Sequence, residues 1–230
     1  TVRLAPSACT IFTRLPAGSP ARGELLDRAL EHLSDVTYHR LRDMGFEPNG
    51  IIDIGAHVGD WTRSIKAVFP EVPVLMVEAR ESQRPHLEKA CDELDDVSFV
   101  ISLLGSEPKE TVEFHVLDTG SSMFSERSNV PRSSERLAMH TLDEIAGAAA
   151  RLASPLFLKL DVQGAELEIL KGAADTLTMA EVVQLEVQLL HYNEGAPQAA
   201  DVVAFMDRNG FALFDVAGFV RPNGTDLVQL

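Results

Sequence analysis

Runs that are apolar at nearly every position recur along this chain, and each ends in or next to an acid. Gly50-Ile51-Ile52-Asp53-Ile54, Val72-Pro73-Val74-Leu75-Met76-Val77-Glu78 and Leu156-Phe157-Leu158-Lys159-Leu160-Asp161 share this form. Strands covered by helices on both faces of a parallel sheet lose the alternation of half-exposed strands and read this way. Between the runs, apolar residues fall at helical spacing. The pattern predicts strand one over 50–54, a helix over 60–69, strand two over 72–77, a helix over 82–94 and strand three over 97–104. An added strand is expected over 111–117. After the run ending at Asp161 come a helix with acids Glu166 and Glu168 in its first turn and a stop at Gly172. Strand five follows over 182–190, then a helix over 199–209, a strand over 211–216 and the start of a last strand at 226–230.

Strands alternating with helices form βαβ units, whose crossovers are right-handed, so the expectation is one α/β domain over 46–230. Before it, 1–23 is rich in Pro and Gly and reads as an irregular arm. Leu25, Leu26, Leu30, Leu33 and Val36 then mark a helix over 24–44, stopped by Gly45 and packed on the core.

The turn after strand one carries the most chemistry. Gly55-Ala56-His57-Val58-Gly59 leads directly into the amphipathic segment from Trp61 to Phe69. Gly55 and Gly59 let the backbone bend and approach a ligand where a Cβ would intrude. The spacing is G-x-x-x-G, not the G-x-G-x-x-G of dinucleotide loops, and Asp53 stands two residues before the first glycine. A carboxylate there, directly or through water, can accept hydrogen bonds from an ammonium group that a helix N-terminus alone would repel. S-adenosylmethionine is a ligand of that kind. Glu78, at the end of strand two, stands where Rossmann-like sites bind ribose hydroxyls, a feature shared by nucleoside ligands of several classes.

Composition narrows the classes. In 230 residues, 45% hydrophobic content suffices for one sizeable core, and a net charge of −15 disfavours a broad nucleic-acid surface. Two cysteines, Cys9 and Cys91, are too few for a disulfide framework or a structural zinc site, which points to thiols in a reducing compartment. No apolar stretch reaches the roughly 20 residues that span a bilayer, so a cytoplasmic protein is expected. The polar stretch from Asp118 to Arg136 contains Gly120, Ser121, Ser122, Arg127, Arg132 and Arg136. Loops of that length are often lids or binding loops. Its arginines suit an anionic group on a substrate; a solvated charged loop is the alternative.

The run Asp161-Val162-Gln163-Gly164-Ala165-Glu166 with Leu170-Lys171-Gly172-Ala173, preceded by Thr141-Leu142-Asp143 and the Asp53-to-Gly59 loop, resembles the FkbM-type family of S-adenosylmethionine-dependent methyltransferases. The similarity runs from about Gly50 to the C-terminus with the motifs in the family's order. It implies a class I methyltransferase (Rossmann-like) fold: a mostly parallel central sheet with helices on both faces and an antiparallel C-terminal hairpin. It also implies S-adenosyl-L-methionine as cofactor and methylation of a hydroxyl oxygen on a sugar, polyketide or other secondary metabolite. Members often carry Asn where His57 stands and Glu where Gln163 stands; Gln163 removes a charge beside Asp161 and weakens an acidic pair between those two.

The residues expected to hold the cofactor are Asp53, Gly55, Ala56, His57, Gly59 and Glu78. For catalysis, Asp161, Glu186 near the end of strand five and His191 just beyond it can converge on the cleft, with His191 and Asp161 as candidate bases. The same three could hold a divalent metal, though no clear ligand motif is present, and a hydrogen-bonded polar rim is the other reading. A non-catalytic nucleoside-binding module that keeps the fold is an alternative. A nicotinamide-dependent oxidoreductase is another, disfavoured by the glycine spacing.

Overall fold

The computed structural model describes residues 36–116, 133–149, 151–187, 189, 197–215, 217 and 218. In chain order, helix α1 (36–43) precedes β1 (Gly50–Ile54), α2 (Asp60–Val68), β2 (Val74–Glu78), a 3₁₀ turn (Glu81–Gln83), α3 (Arg84–Glu93) and β3 (Val97–Ile101). Then come β4 (Leu103–Leu104), β5 (Lys109–Val116), β6 (Ser133–His140), α4 (Leu142–Ala148) and β7 (Leu156–Leu160). The last elements are α5 (Glu166–Lys171), α6 (Ala174–Met179), β8 (Ala180–Leu185) and α7 (Ala199–Arg208).

Five strands form a parallel sheet in the order β3-β2-β1-β7-β8. Period two along β1 and β7 sends Ile52, Ile54, Leu158 and Leu160 to a core shared with Leu167, Ile169, Leu170 and Val202. Ile51 and Phe157 go to the other face, against Tyr38, Leu41, Ile65, Val68 and Phe69. Burial on both faces explains the continuous apolar runs. The chain order reverses at β1, from which β2 and β3 run one way and β7 and β8 the other. Clefts in open α/β sheets form at the carboxyl ends of the strands beside such a switch point.

Several expectations change in detail. The single run over 97–104 splits: β3 belongs to the central sheet, the chain breaks step at Ser102, and Leu103–Leu104 pairs instead with β6 in a separate three-stranded mixed sheet, β4-β6-β5. There Glu113 of β5 lies opposite Arg136 of β6, so the polar stretch expected over 118–136 is strand from Ser133 onward. Arg127, Arg132, Gly120, Ser121 and Ser122 lie outside the described residues, as does Cys9. In α1 Thr37, Tyr38 and Leu41 are buried, whereas Val36 is 46% exposed, and Leu25, Leu26, Leu30 and Leu33 lie outside the described residues. The first half of the expected hairpin, 211–215, carries no strand, and its second half, 226–230, lies outside the described residues.

Thr141-Leu142-Asp143 and Gly172 have plain structural uses. Thr141 Oγ1 accepts from Glu144 N at 3.2 Å, and the Glu144 carboxylate accepts from Thr141 N at 2.9 Å, a capping box at the start of α4. Asp143 caps a different helix, α6, accepting from Asp175 N, Thr176 N and Thr176 Oγ1 at 3.1, 2.8 and 2.7 Å. Gly172 lies where an added Cβ would meet the Gly105 carbonyl oxygen at 2.3 Å, a backbone contact that a side chain cannot yield to. Gly172→Ala should therefore cost about 1–3 kcal/mol. Gly147→Ala, in α4 with open space around it, should gain about 0.5–1 kcal/mol. Urea unfolding midpoints of the two variants would check the contrast.

Candidate active site

The turns after β1, β2, β7 and β8 enclose a cleft of about 230 Å³ at the carboxyl edge of the sheet. Gly55 and His57 come from the first turn, Glu78 and Arg80 from the second, Asp161, Val162 and Gln163 from the third, and Glu186 from the fourth. Leu103, Leu104, Phe114 and Ile169 supply an apolar wall.

The glycine turn is fixed from both sides. Gly55 N and Ala56 N donate to the Val77 carbonyl at 2.9 and 3.1 Å, and Asp161 N donates to the Ile54 carbonyl at 3.1 Å. At Gly55, φ is +76°, and a Cβ would stand 2.0 Å from the Asp161 carbonyl oxygen. Only glycine lets these two turns touch. Gly59, also left-handed, forms the N-cap of α2, and neither it nor Ala56 lines the cleft. His57 lines the cleft with φ +52°, a conformation unusual for a residue with a side chain.

Glu78 is buried at the cleft edge. Its Oε2 accepts from His57 N at 2.9 Å, and its Oε1 accepts from Arg80 N at 3.0 Å and Arg80 Nε at 3.4 Å. The carboxylate thus ties the turns after β1 and β2 together and faces the cleft.

Asp53 occupies a different place from the one expected. It is wholly buried and does not line the cleft, because its carboxylate accepts from Thr62 Oγ1 at 2.7 Å and Lys159 Nζ at 2.9 Å. Asp53 was expected to accept from a ligand's ammonium group directly or through water; its carboxylate is turned instead to Thr62 and Lys159. Asp53 and Lys159 are register partners on β1 and β7, so their side chains rise from the same face of the sheet. Lys159 Nζ also donates to the Gly55 carbonyl at 3.2 Å, lies 3.9 Å from Asp161 Oδ2 and stands 5.7 Å from the centre of the Trp61 ring. Burial pulls the Lys159 ammonium down, but the charges of Asp53 and Asp161 outweigh it and hold the group above its ordinary value. Lys159 escaped the sequence reading. The available signal was a lone charge in the middle of a run otherwise apolar, which requires a buried partner.

On the other side of β1, the structure brings Asp161 and Glu186 together. Gln163 Nε2 donates to Glu186 Oε2 at 2.8 Å and to Asp161 Oδ1 at 3.4 Å, while Glu186 N donates to the Leu160 carbonyl at 2.9 Å. Burial, then the charge of Asp161 and a hydrogen bond shared with it, push the Glu186 carboxyl up to about 9. Asp161 is 48% exposed and opens onto the cleft. The acidic pair therefore exists, but between Asp161 and Glu186. His191, the other candidate base, lies outside the described residues, and among those described no cluster of His, Cys, Asp and Glu is arranged to hold a metal ion.

Glu166 is the second residue missed, since an acid in the first turn of a helix ordinarily faces water. Here it is buried, and its Oε1 accepts from Val162 N and Gly164 N, both at 3.2 Å. Burial dominates and raises its carboxyl to about 7 against those backbone hydrogen bonds.

Among the described residues, no helix is long and apolar enough to cross a membrane. Comparison with curated proteins returns no match. Among solved structures, the chain is similar to a magnesium protoporphyrin IX methyltransferase from Synechocystis PCC 6803 with bound SAH, at 9% identity and a TM-score of 0.47, covering 97% of this chain and 90% of that one. A SAM-dependent methyltransferase from Aquifex aeolicus gives 14% identity, a TM-score of 0.41 and coverage of 99% and 96%. The precorrin-6y C5,15-methyltransferase of Geobacter metallireducens GS-15 gives 12%, 0.41, and coverage of 77% and 68%. The methyltransferase FkbM domain matches residues 53–213, which contain the end of β1, all of β2 through β8 and every turn that lines the cleft. With that match covering most of its length, the chain belongs to the FkbM family of S-adenosylmethionine-dependent methyltransferases.

Proposed function

We propose that this chain methylates a hydroxyl oxygen of a small molecule, with Asp161 receiving the hydroxyl proton. The observation that carries the proposal is the Asp161–Glu186 pair, set in the same cleft as the glycine turn and across β1 from Glu78. The residues fit an adenosine-bearing donor: Glu78 offers a fixed carboxylate suited to a ribose diol, and the turn at Gly55 and His57 exposes backbone beside it. Asp53 supports that site indirectly, through Lys159 and the Gly55 carbonyl.

When bound, the donor supplies a methyl group already activated on a sulfonium sulfur. The protein's task is then alignment, exclusion of water and removal of one proton. Orientation can supply roughly 7 to 11 kcal/mol, and a positioned base typically adds about 10² to 10⁴-fold. Asp161 would take the proton that the acceptor hydroxyl gives up on receiving the methyl group. Glu186, carrying a proton at neutral pH, presents a hydrogen bond to Asp161 in place of a second negative charge.

Glu78→Ala should weaken S-adenosylhomocysteine binding by about 10 to 100-fold in calorimetry. Asp161→Asn should retain that binding and lose about 10² to 10⁴-fold in methyl transfer to hydroxylated acceptors. Donor binding without transfer to any acceptor, by the unaltered protein, would instead identify a binding module.

The acids also set a pH dependence of stability. Glu186 and Glu166 have folded-state values of about 9 and about 7, above their ordinary carboxyl range. The folded chain therefore binds more protons than the unfolded one from about pH 4.5 upward, and their contribution to stability declines as pH rises through about 7 and 9. Urea midpoints taken between pH 6 and 9 should fall less for Glu186→Gln than for the unaltered protein.

A further inference from the structure

Gln163 has no role in the mechanism above, yet it combines three observations seldom found together. Its backbone is left-handed, with φ +55°, although it is not glycine. Its carboxamide lies between two carboxyl groups, 2.8 Å from one and 3.4 Å from the other. The backbone N–H groups immediately before and after it, those of Val162 and Gly164, donate to the same oxygen of buried Glu166. A left-handed conformation at such a residue costs on the order of 1–3 kcal/mol and persists where its surroundings over-determine it. The surroundings here are the Glu166 carboxylate, which grips the turn on both sides, and Gly164, itself left-handed at φ +98°.

We infer that Gln163 is a positioning residue: its amide donates one N–H to each of Asp161 and Glu186, and so joins the two acids into a unit that shares a single proton. Two carboxyl groups drawn together in a partly desolvated cleft repel one another unless donors stand between them. The two hydrogens of one amide nitrogen meet that need without adding charge. Turning the chain left-handed at 163 sends the side chain back across Asp161 toward the end of β8. The other charges around the unit are Lys159, 3.9 Å from Asp161, and Glu166 behind the turn. Among the described residues, the side-chain amide of Gln163 donates to both acids.

This role rests on the methyltransferase reading for its use in catalysis but not for its detection. The test is a carboxyl-carbon NMR titration of the full chain labelled at Asp and Glu, comparing the unaltered protein with Gln163→Gly and Gln163→Met. Glycine suits a φ of +55° and keeps the turn, while methionine keeps the bulk without donors. Because a hydrogen bond to a charged group contributes about 1.5 to 3 kcal/mol, the upper apparent pKa of the pair should rise by about one to two units in both variants. S-adenosylhomocysteine affinity should stay within about twofold, and turnover on any acceptor found should fall at least about tenfold. An unchanged upper pKa in the folded variants overturns the inference. If the unaltered protein transfers no methyl group, the functional reading has failed while the titration still decides the role of Gln163.

Discussion

A buried ion pair between adjacent strands underlies the geometry of this cleft. Asp53 and Lys159 sit opposite one another on β1 and β7, both almost entirely out of water. Two charges in that position are tolerated because each has further partners: Thr62 for the carboxylate, the Gly55 carbonyl and the face of Trp61 for the ammonium. Removing either member would strand the other charge in the sheet, a loss of about 3–5 kcal/mol. The pair also sets direction. Lys159 reaches past Asp53 to the carbonyl at the start of the glycine turn, so the conformation of that turn depends on the register of β1 with β7. Tyr38 and Trp61 close over the row, with Trp61 Nε1 donating to Tyr38 Oη at 2.7 Å and Tyr38 Oη donating to Gln184 Oε1 at 2.8 Å. Gln184 is in turn the register partner of Lys159 on β8. One polar row therefore crosses three strands and joins helices α1 and α2 to the sheet.

Much of the sheet was legible because burial on both faces leaves a simple mark in the sequence. The runs at 50–54, 74–78 and 156–160 needed no topology to be read as strands, and their terminal acids pointed to the correct edge. Reading failed where a residue's meaning depends on what another element places beside it. Glu166 has the sequence position of an ordinary first-turn acid, and only the return of the turn over 162–164 shows that it is buried. Asp53 was read as facing a ligand because its partner, Lys159, is more than a hundred positions away and identifiable only through strand register. The run over 97–104 has one composition but two destinations, since the change of sheet at Ser102 follows from the pairing of Leu103 and Leu104 with Met139 and His140, far along the chain. Val36 extended a plausible apolar stripe by one position but is exposed, while Tyr38 packs against Phe157 and Trp61.

Strain and chemistry coincide in this fold. His57 and Gln163, both non-glycine and both left-handed, stand in the turns after β1 and β7, the two strands at the switch point. Each is clamped by a buried acid: Glu78 accepts the His57 N–H, and Glu166 accepts the N–H groups flanking Gln163. The two clamps face opposite sides of β1, and the Lys159 ammonium lies between the turns they hold. Glu78 ties the His57 N–H to the end of β2, and the adjoining glycine turn touches the Asp161 backbone directly. The turns after β1 and β7 are thus in direct backbone contact at Gly55, where even one added methyl group would force them apart.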